Sequence, residues 1–223
     1  MKKILAVIPA RGGSKGIPRK NVKDLAGKPM IAYIIETTLR VSLVDRVVVS
    51  TDDQEIADVA QKYGAEVPFL RPAELATDEV PTLPVLQHVV QELKLRDGYE
   101  PDYVLLVYPT SPLLRAERIE EAITLALAQD SDGVASGYYD KGHYWQKGES
   151  GWARLYPKTL ENRQKTTPLF KENGAIYLAK TSVLQTQLLP EHIDLLIMDP
   201  EENIDVDEMA DFVAVEKILT QTN

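Results

Sequence analysis

Short apolar runs alternate with stretches of helical periodicity along most of the chain. Ile4–Ile8, Arg46–Ser50, Val67–Leu70, Tyr103–Val107 and Gly133–Tyr138 are rich in Val, Ile, Leu and Tyr, and several are nearly continuous. That is the pattern of strands buried on both faces of a parallel sheet. Between them Met30, Ile31, Ile34, Ile35, Thr38 and Leu39 form one apolar helical stripe, with Pro29 at a first-turn position. Gln54–Tyr63, Thr82–Leu95 and Ala116–Gln129 follow the same period. The alternation predicts an α/β fold with a mostly parallel central sheet and right-handed crossovers. The rhythm breaks at 139–170, which holds both tryptophans, Trp145 and Trp152, and few long apolar runs. That region reads as an inserted loop or hairpin used as a lid or a subunit contact. Strand-like patterns return at Gly174–Leu178 and Leu195–Met198, and a last helix is expected over about Glu208–Thr220. At 223 residues, with no linker-like stretch or internal repeat, the chain reads as one domain over 1–223.

In open sheets of this kind ligands bind beyond the carboxyl ends of the strands. Three polar loops should therefore share one rim: Arg11–Asn21, Thr51-Asp52-Asp53, and Tyr108-Pro-Thr-Ser-Pro112. The first is the most informative. It holds three glycines (Gly12, Gly13, Gly16) and four cations (Arg11, Lys15, Arg19, Lys20). Residues 1–28 carry eight Lys/Arg and one acid, whereas the whole chain is −9. A basic, glycine-rich loop after the first strand of an acidic protein suits a nucleoside triphosphate, because backbone N–H groups and cations can wrap the phosphates. A solvated surface turn is the competing reading. Neither G-x-x-x-x-G-K-[ST] nor G-x-G-x-x-G is present, so the P-loop and the dinucleotide fingerprint are excluded.

Residues 190–211 form the acidic counterpart, with nine acids and no Lys or Arg. In an extended Ile204-Asp-Val-Asp207, Asp205 and Asp207 project to one face. Adjacent carboxylates repel unless a cation sits between them, and Mg²⁺ with triphosphate oxygens is a natural occupant. Asp207 is alternatively an N-cap for the last helix, with Glu208 in its first turn. Basic loop and carboxylate pair together supply what nucleotidyl transfer needs.

Composition removes other chemistries. Without cysteine there is no disulfide, thiolate catalysis or Cys-ligated metal. His88, His143 and His192 show no metal spacing, and His88, inside an apolar helix, reads as packing or surface. The acidic balance argues against nucleic acid as partner. No apolar stretch approaches a membrane span, and a cytoplasmic protein is expected. Lys28-Pro29 either reaches the phosphates or simply opens the first helix.

Taken in order, seven segments resemble the acylneuraminate (CMP-sialic acid) cytidylyltransferase family. They are Ile8-Pro-Ala-Arg-Gly-Gly-Ser-Lys-Gly-Ile-Pro-Arg-Lys-Asn21, Leu25-Ala-Gly-Lys-Pro-Met-Ile-Ala-Tyr33, Val49-Ser-Thr-Asp52, Leu70-Arg-Pro-Ala-Glu-Leu-Ala-Thr-Asp78, Pro109-Thr-Ser-Pro112, Asn173-Gly-Ala-Ile-Tyr177 and Ile204-Asp-Val-Asp207. The resemblance implies a Rossmann-like nucleotidyltransferase fold, a homodimer, and the reaction of CTP with a nonulosonic acid to give CMP-sugar and pyrophosphate, with Mg²⁺. It implies that Arg11, Gly12, Ser14, Lys15, Lys20 and Asn21 hold the nucleotide, with Arg71 and Thr82 flanking it. It places Asp205 and Asp207 on magnesium, and Tyr108, Thr110, Ser111 and Asn173 near the sugar. Arg11, Lys20 and Asp207 carry the catalytic role in that picture.

Two stretches depart from the family pattern. Its usual loop reads Gln-Pro-Thr-Ser-Pro-Leu-Arg; here Tyr108 replaces the Gln, and an extra leucine separates Pro112 from Arg115. The tyrosine resembles the branch acting on pseudaminic acid, whereas Asn173–Tyr177 resembles the sialic and legionaminic side. The region 138–147 lacks the usual paired His-Pro pattern. Lys141, Arg163 and Lys171 are candidate partners for the sugar carboxylate. Other sugar nucleotidyltransferases, with another NTP or a Kdo-type acceptor, and a non-catalytic nucleotide-binding protein remain the alternatives.

Overall fold

The computed structural model describes residues 2–14, 16–155, 168–199, 202 and 204–221. Among these, six strands form the central sheet in the order β10-β6-β9-β5-β1-β4. They are β1 (Ile4–Pro9), β4 (Arg46–Ser50), β5 (Tyr103–Val107), β6 (Gly133–Asp140), β9 (Leu169–Lys180) and β10 (Asp194–Ile197). β1 runs parallel to β4 and β5, and β10 parallel to β6. β9 is antiparallel to both neighbours, β5 and β6. The helices are α1 (Met30–Leu39), α2 (Gln54–Lys62), α3 (Thr82–Asp97), α4 (Ala116–Gln129) and α5 (Met209–Gln221). None is long and apolar enough to cross a membrane among the described residues.

β1 shows why its sequence is an unbroken apolar run. Ile4, Ala6 and Ile8 pack into one core with Ile31, Ile35, Ile56, Ile119 and Ile123, from α1, α2 and α4. Leu5 and Val7 point the other way, into a core with Leu86, Val89 and Leu93 of α3. Both faces are covered, so period-2 polarity would put a polar group in one core or the other. A third cluster gathers Ile17, Leu25, Met30, Val206, Phe212 and Val215. It joins the basic loop, the short hairpin of β2 (Asp24–Leu25) and β3 (Lys28–Pro29), the acidic segment and α5.

Val67–Leu70 is not a strand. Only Glu66 bridges to Val48, through its N–H to Val47 O and its carbonyl to Val49 N. Pro68 has no N–H to continue the ladder, so pairing stops at once. The inserted region does contain a hairpin, β7 (Trp145–Gly148) with β8 (Gly151–Arg154). β6 and β9 also run on together past the core, with Gly137–Asp140 against Glu172–Leu169. The rest of that insertion, 156–167 with Arg163, lies outside the described residues.

Candidate active site

The loops after β1, β4 and β5 do converge. Those after β1 and β5 border a cleft of about 400 Å³ whose walls include Arg11, Ser14, Gly16, Lys20, Asn21, Arg71, Asp78, Thr82, Tyr108, Thr110 and Asp207, whereas the turn after β4 lines none of it and instead hydrogen-bonds to the first loop. A second cleft of about 450 Å³ adjoins it, lined by Tyr108, Thr110, Glu172, Gly174, Tyr177, Leu188, Leu189, Asp205 and Asp207. Tyr108, Thr110 and Asp207 belong to both. Cations crowd the first cleft; none of the second cleft's lining residues is Lys, Arg or His.

The basic loop is fastened at both ends to the turn after β4. Gly12 N–H donates to Asp52 Oδ1 at 3.0 Å. A Cβ on Gly12 would come within 2.7 Å of Asp53 Oδ2, which is why a glycine stands there. Arg19 donates to Asp53 Oδ2 at 2.5 Å and Oδ1 at 3.0 Å. Asp53 in turn caps α2 through Ile56 N–H. The Arg19 guanidinium pulls Asp53 below the usual carboxylate range. Arg19 is thus a structural cation, unlike its neighbour Lys20. Lys20 reaches across to the acidic segment, 2.7 Å from Val206 O and 3.6 Å from an Asp207 oxygen. Asn21 is buried and donates to Arg11 O, fixing the start of the loop. Arg11 pairs with Asp78 across the first cleft. Lys15 lies outside the described residues.

Gly16 marks where the loop meets the acidic segment. A Cβ there would sit 2.3 Å from Asp207 O, an impossible approach to backbone. Gly16→Ala must therefore push the loop and Asp207 apart. Its expected result is a folded protein with turnover reduced by roughly a hundredfold, on the scale of a 1 Å misplacement in an active site. Steady-state kinetics beside a circular dichroism spectrum would check this.

Among the described residues Arg71 leaves two buried donors unsatisfied. Its side chain is 5% exposed, and Asp52 is 3.8 Å from Nη2. Nε and Nη2 are buried without a hydrogen-bond partner. Desolvation holds its pKa below the usual arginine value, with Arg11 pressing in the same direction. A guanidinium with unused donors in a cleft wall is a candidate partner for an anionic ligand.

The acidic pair is held as the alternation predicts. Val206 is fully buried, and its N–H donates to Thr110 O at 2.8 Å. Asp205 and Asp207, on either side, are left facing the clefts. The cap of α5 comes from Asp211, whose Oδ2 accepts from Asp207 N at 3.1 Å and Glu208 N at 2.9 Å. Desolvation raises the Asp205 pKa, and the Asp207 charge adds to it, against a hydrogen bond from Thr110. Two hard carboxylates in mutual repulsion, beside a cationic cleft, suit a divalent cation whose remaining ligands are phosphate and water. Among the described residues no three His, Asp or Glu side chains form a complete cage.

The raised pKa fixes a sign. In the free protein the ionised Asp205 is disfavoured, so its contribution to stability is present below the ordinary value of 3.8 and lost as pH rises through the higher folded value. Asp205→Asn should therefore raise the melting temperature of the free protein near neutral pH. The gain should vanish as the pH falls to about 4, which paired thermal melts would detect.

The expected sugar-side residues divide. Tyr108 and Thr110 stand at the seam, with Tyr108 O–H and Thr82 Oγ1 2.8 Å apart. Ser111 is buried and lines neither cleft; its amide only closes the turn onto Tyr108 O. Asn173 likewise lines neither. Its Oδ1 accepts from Ser136 Oγ at 2.6 Å and Ala175 N at 3.1 Å, at the bulge where β9 shifts register against β6. Its neighbours Glu172 and Gly174 reach the cleft instead. Lys141 and Lys171 line neither cleft; Lys171 lies over the Tyr138 ring. The tyrosine of the Asn173–Tyr177 segment does face it, donating to Glu172 at 2.9 Å. Leu188 and Leu189, which no motif marks, complete that wall.

Comparison with known proteins shows the family. A family model described as cytidylyltransferase matches residues 5–195. The chain is 35% identical to the CMP-N,N'-diacetyllegionaminic acid synthase of Legionella pneumophila, over 97% of this chain and 96% of that protein. It is 32% identical to the pseudaminic acid cytidylyltransferase of Campylobacter jejuni, over 99% and 97%. The solved structure of CMP:2-keto-3-deoxy-manno-octonic acid synthetase complexed with CTP superposes with a TM-score of 0.75 at 22% identity, covering 100% of both chains, which shows a shared nucleotidyltransferase fold. Matched by a cytidylyltransferase model over residues 5–195 and by relatives 32–35% identical over nearly its whole length, the chain belongs to the cytidylyltransferase family.

Proposed function

We propose that this enzyme transfers the cytidylyl group of CTP to a nonulosonic acid of the legionaminic, pseudaminic or sialic type, with magnesium as cofactor. The observation that carries the nucleotide half is Arg71, a guanidinium residue in the wall of the cationic cleft with two buried donors that lack a partner. A triphosphate supplies the missing acceptors. The acceptor half rests on the relatives' substrates and on the second cleft, which opens onto the first beside Asp207.

In the reaction, the anomeric hydroxyl of the acid attacks the α-phosphorus of CTP. The new O–P bond forms as the bond to the bridging oxygen breaks; its electron pair leaves with pyrophosphate, and the hydroxyl proton is released. Arg71 and Ser14 orient the nucleotide, and Arg11 exchanges Asp78 for a phosphate oxygen. Lys20, anchored on Val206 O, places a fixed positive charge beside the reacting phosphates. Asp205 and Asp207 would hold magnesium, which neutralises phosphate charge when bound. Tyr108 and Thr110 separate the nucleotide from the sugar while leaving the seam open. Positioning and electrostatics supply the acceleration.

Lys20→Ala should lower kcat by roughly tenfold or more, beyond what a solvated surface charge contributes. An unchanged kcat would put Lys20 outside the reaction. We read the protruding β6–β9 arm and its hairpin as the subunit contact of a homodimer, because Tyr139, Trp145 and Trp152 are 57%, 49% and 65% exposed there. The nucleotide assignment is tested by pyrophosphate release from CTP, UTP, GTP and dTTP in the presence of nonulosonic acids. Release from CTP alone supports it, and equal or greater release from another triphosphate overturns it.

A further inference from the structure

We propose that Arg118, assisted by Arg115, is a positioning residue for the Asp205–Asp207 carboxylates, acting through Glu202. The inference rests on the reading of that pair as magnesium ligands. It begins from the extra leucine before Arg115, which the nucleotide and sugar assignments leave without a role. In the structure Arg115 is the residue just before α4, and Arg118 follows it in the first turn. At i and i+3 the two side chains share one face.

Both close on Glu202. Arg115 Nε donates to Oε1 at 2.6 Å and Arg118 Nε to Oε2 at 2.9 Å, with Arg118 Nη2 ion-paired to the same Oε2 at 2.8 Å. Arg118 Nη2 also reaches Asp199 Oδ2 at 2.9 Å, and Asp199 N donates to Glu202 Oε2 at 3.2 Å. The Glu202 and Arg118 side chains are only 10% and 16% exposed. A carboxylate this buried, with one guanidinium on each oxygen, is a firmer anchor than a surface ion pair.

Glu202 stands three residues before Asp205, and Val206 is fastened one residue after it, to Thr110 O. Thr110, Arg115 and Arg118 all belong to the stretch from the end of β5 into α4. One rigid unit therefore grips the acidic segment on both sides of Asp205. Releasing the Glu202 grip frees the approach to Asp205 while the Val206 anchor and the triphosphate cleft remain. The metal position, not the nucleotide position, should suffer.

The test uses the full chain and Mn²⁺ as probe, with free Mn²⁺ followed by electron paramagnetic resonance in the presence of CTP. Calorimetry reports CTP affinity without metal. Arg118→Met is expected to weaken Mn²⁺ binding by roughly tenfold to a hundredfold, the range for groups that orient metal ligands. Metal-free CTP affinity should stay within about twofold of wild type, and raised Mg²⁺ should recover part of kcat. Arg118→Lys keeps the charge but not the fork and should fall between; it also serves if Arg118→Met does not fold. The double variant with Glu202→Gln should bind Mn²⁺ no worse than Arg118→Met alone, because the orphaned carboxylate is gone. Unchanged Mn²⁺ affinity in the arginine variants overturns the inference, as do equal losses of Mn²⁺ and metal-free CTP binding. If the wild-type protein with CTP binds no Mn²⁺, the magnesium reading falls first and takes this inference with it.

Discussion

Asp207→Ala is expected to abolish measurable turnover at ordinary magnesium concentrations, a loss of roughly a hundredfold to a thousandfold or more. Asp207 is the carboxylate common to both clefts, and it lies within 3.6 Å of Lys20. Its removal takes away a metal ligand and leaves Lys20 with only the Val206 carbonyl. The fold should survive. The Asp207 side chain is 78% exposed, and the segment is anchored by Val206 in the core and by Asp211 at the backbone. Circular dichroism should therefore match wild type while pyrophosphate release disappears. Near-normal activity would remove Asp207 from the metal site.

Arg71→Met should separate binding from folding. Each charge-assisted hydrogen bond from a buried guanidinium is worth about 1.5–3 kcal/mol, so CTP affinity should fall by roughly tenfold to a hundredfold. The free protein should not be weakened, because the variant replaces a desolvated cation with unpaired donors by an apolar chain of similar length. Its melting temperature should be equal to or above that of wild type, and the rise on adding CTP should shrink. An unchanged CTP-induced rise would mean that Arg71 faces something other than the nucleotide.

Most of the sheet and its helices were legible because burial on two faces leaves an apolar run with no ambiguity of face, as in β1 and β5. Val67–Leu70 has the same composition but contains Pro68, whose missing N–H outweighs it. The antiparallel direction of β9 has no local signature, since its buried residues Ala175, Ile176, Leu178 and Ala179 would pack into the sheet in either direction. At the site, the extended Asp205-Val206-Asp207 was legible because alternation alone separates the buried Val206 from its flanking acids. The division among the loop cations was not. Arg11, Arg19 and Lys20 look alike in sequence, and only the placement of Asp53, Asp78 and Val206 O shows which is tied down and by what. Ser111 and Asn173 sit inside recognisable motifs, yet they hold a turn and a strand bulge rather than a cleft wall. Leu188 and Leu189 carry no motif, and only the tertiary fold brings them to the cleft that Tyr177 lines.

The most direct measurement is product formation from CTP and Mg²⁺ with Neu5Ac, legionaminic, pseudaminic and Kdo acids in turn, following pyrophosphate and identifying the product by mass. The account predicts one pyrophosphate for each CMP-linked nonulosonic acid formed, with at least one of the first three acids. CTP binding with no pyrophosphate from any of these acids, or turnover confined to Kdo, would contradict it.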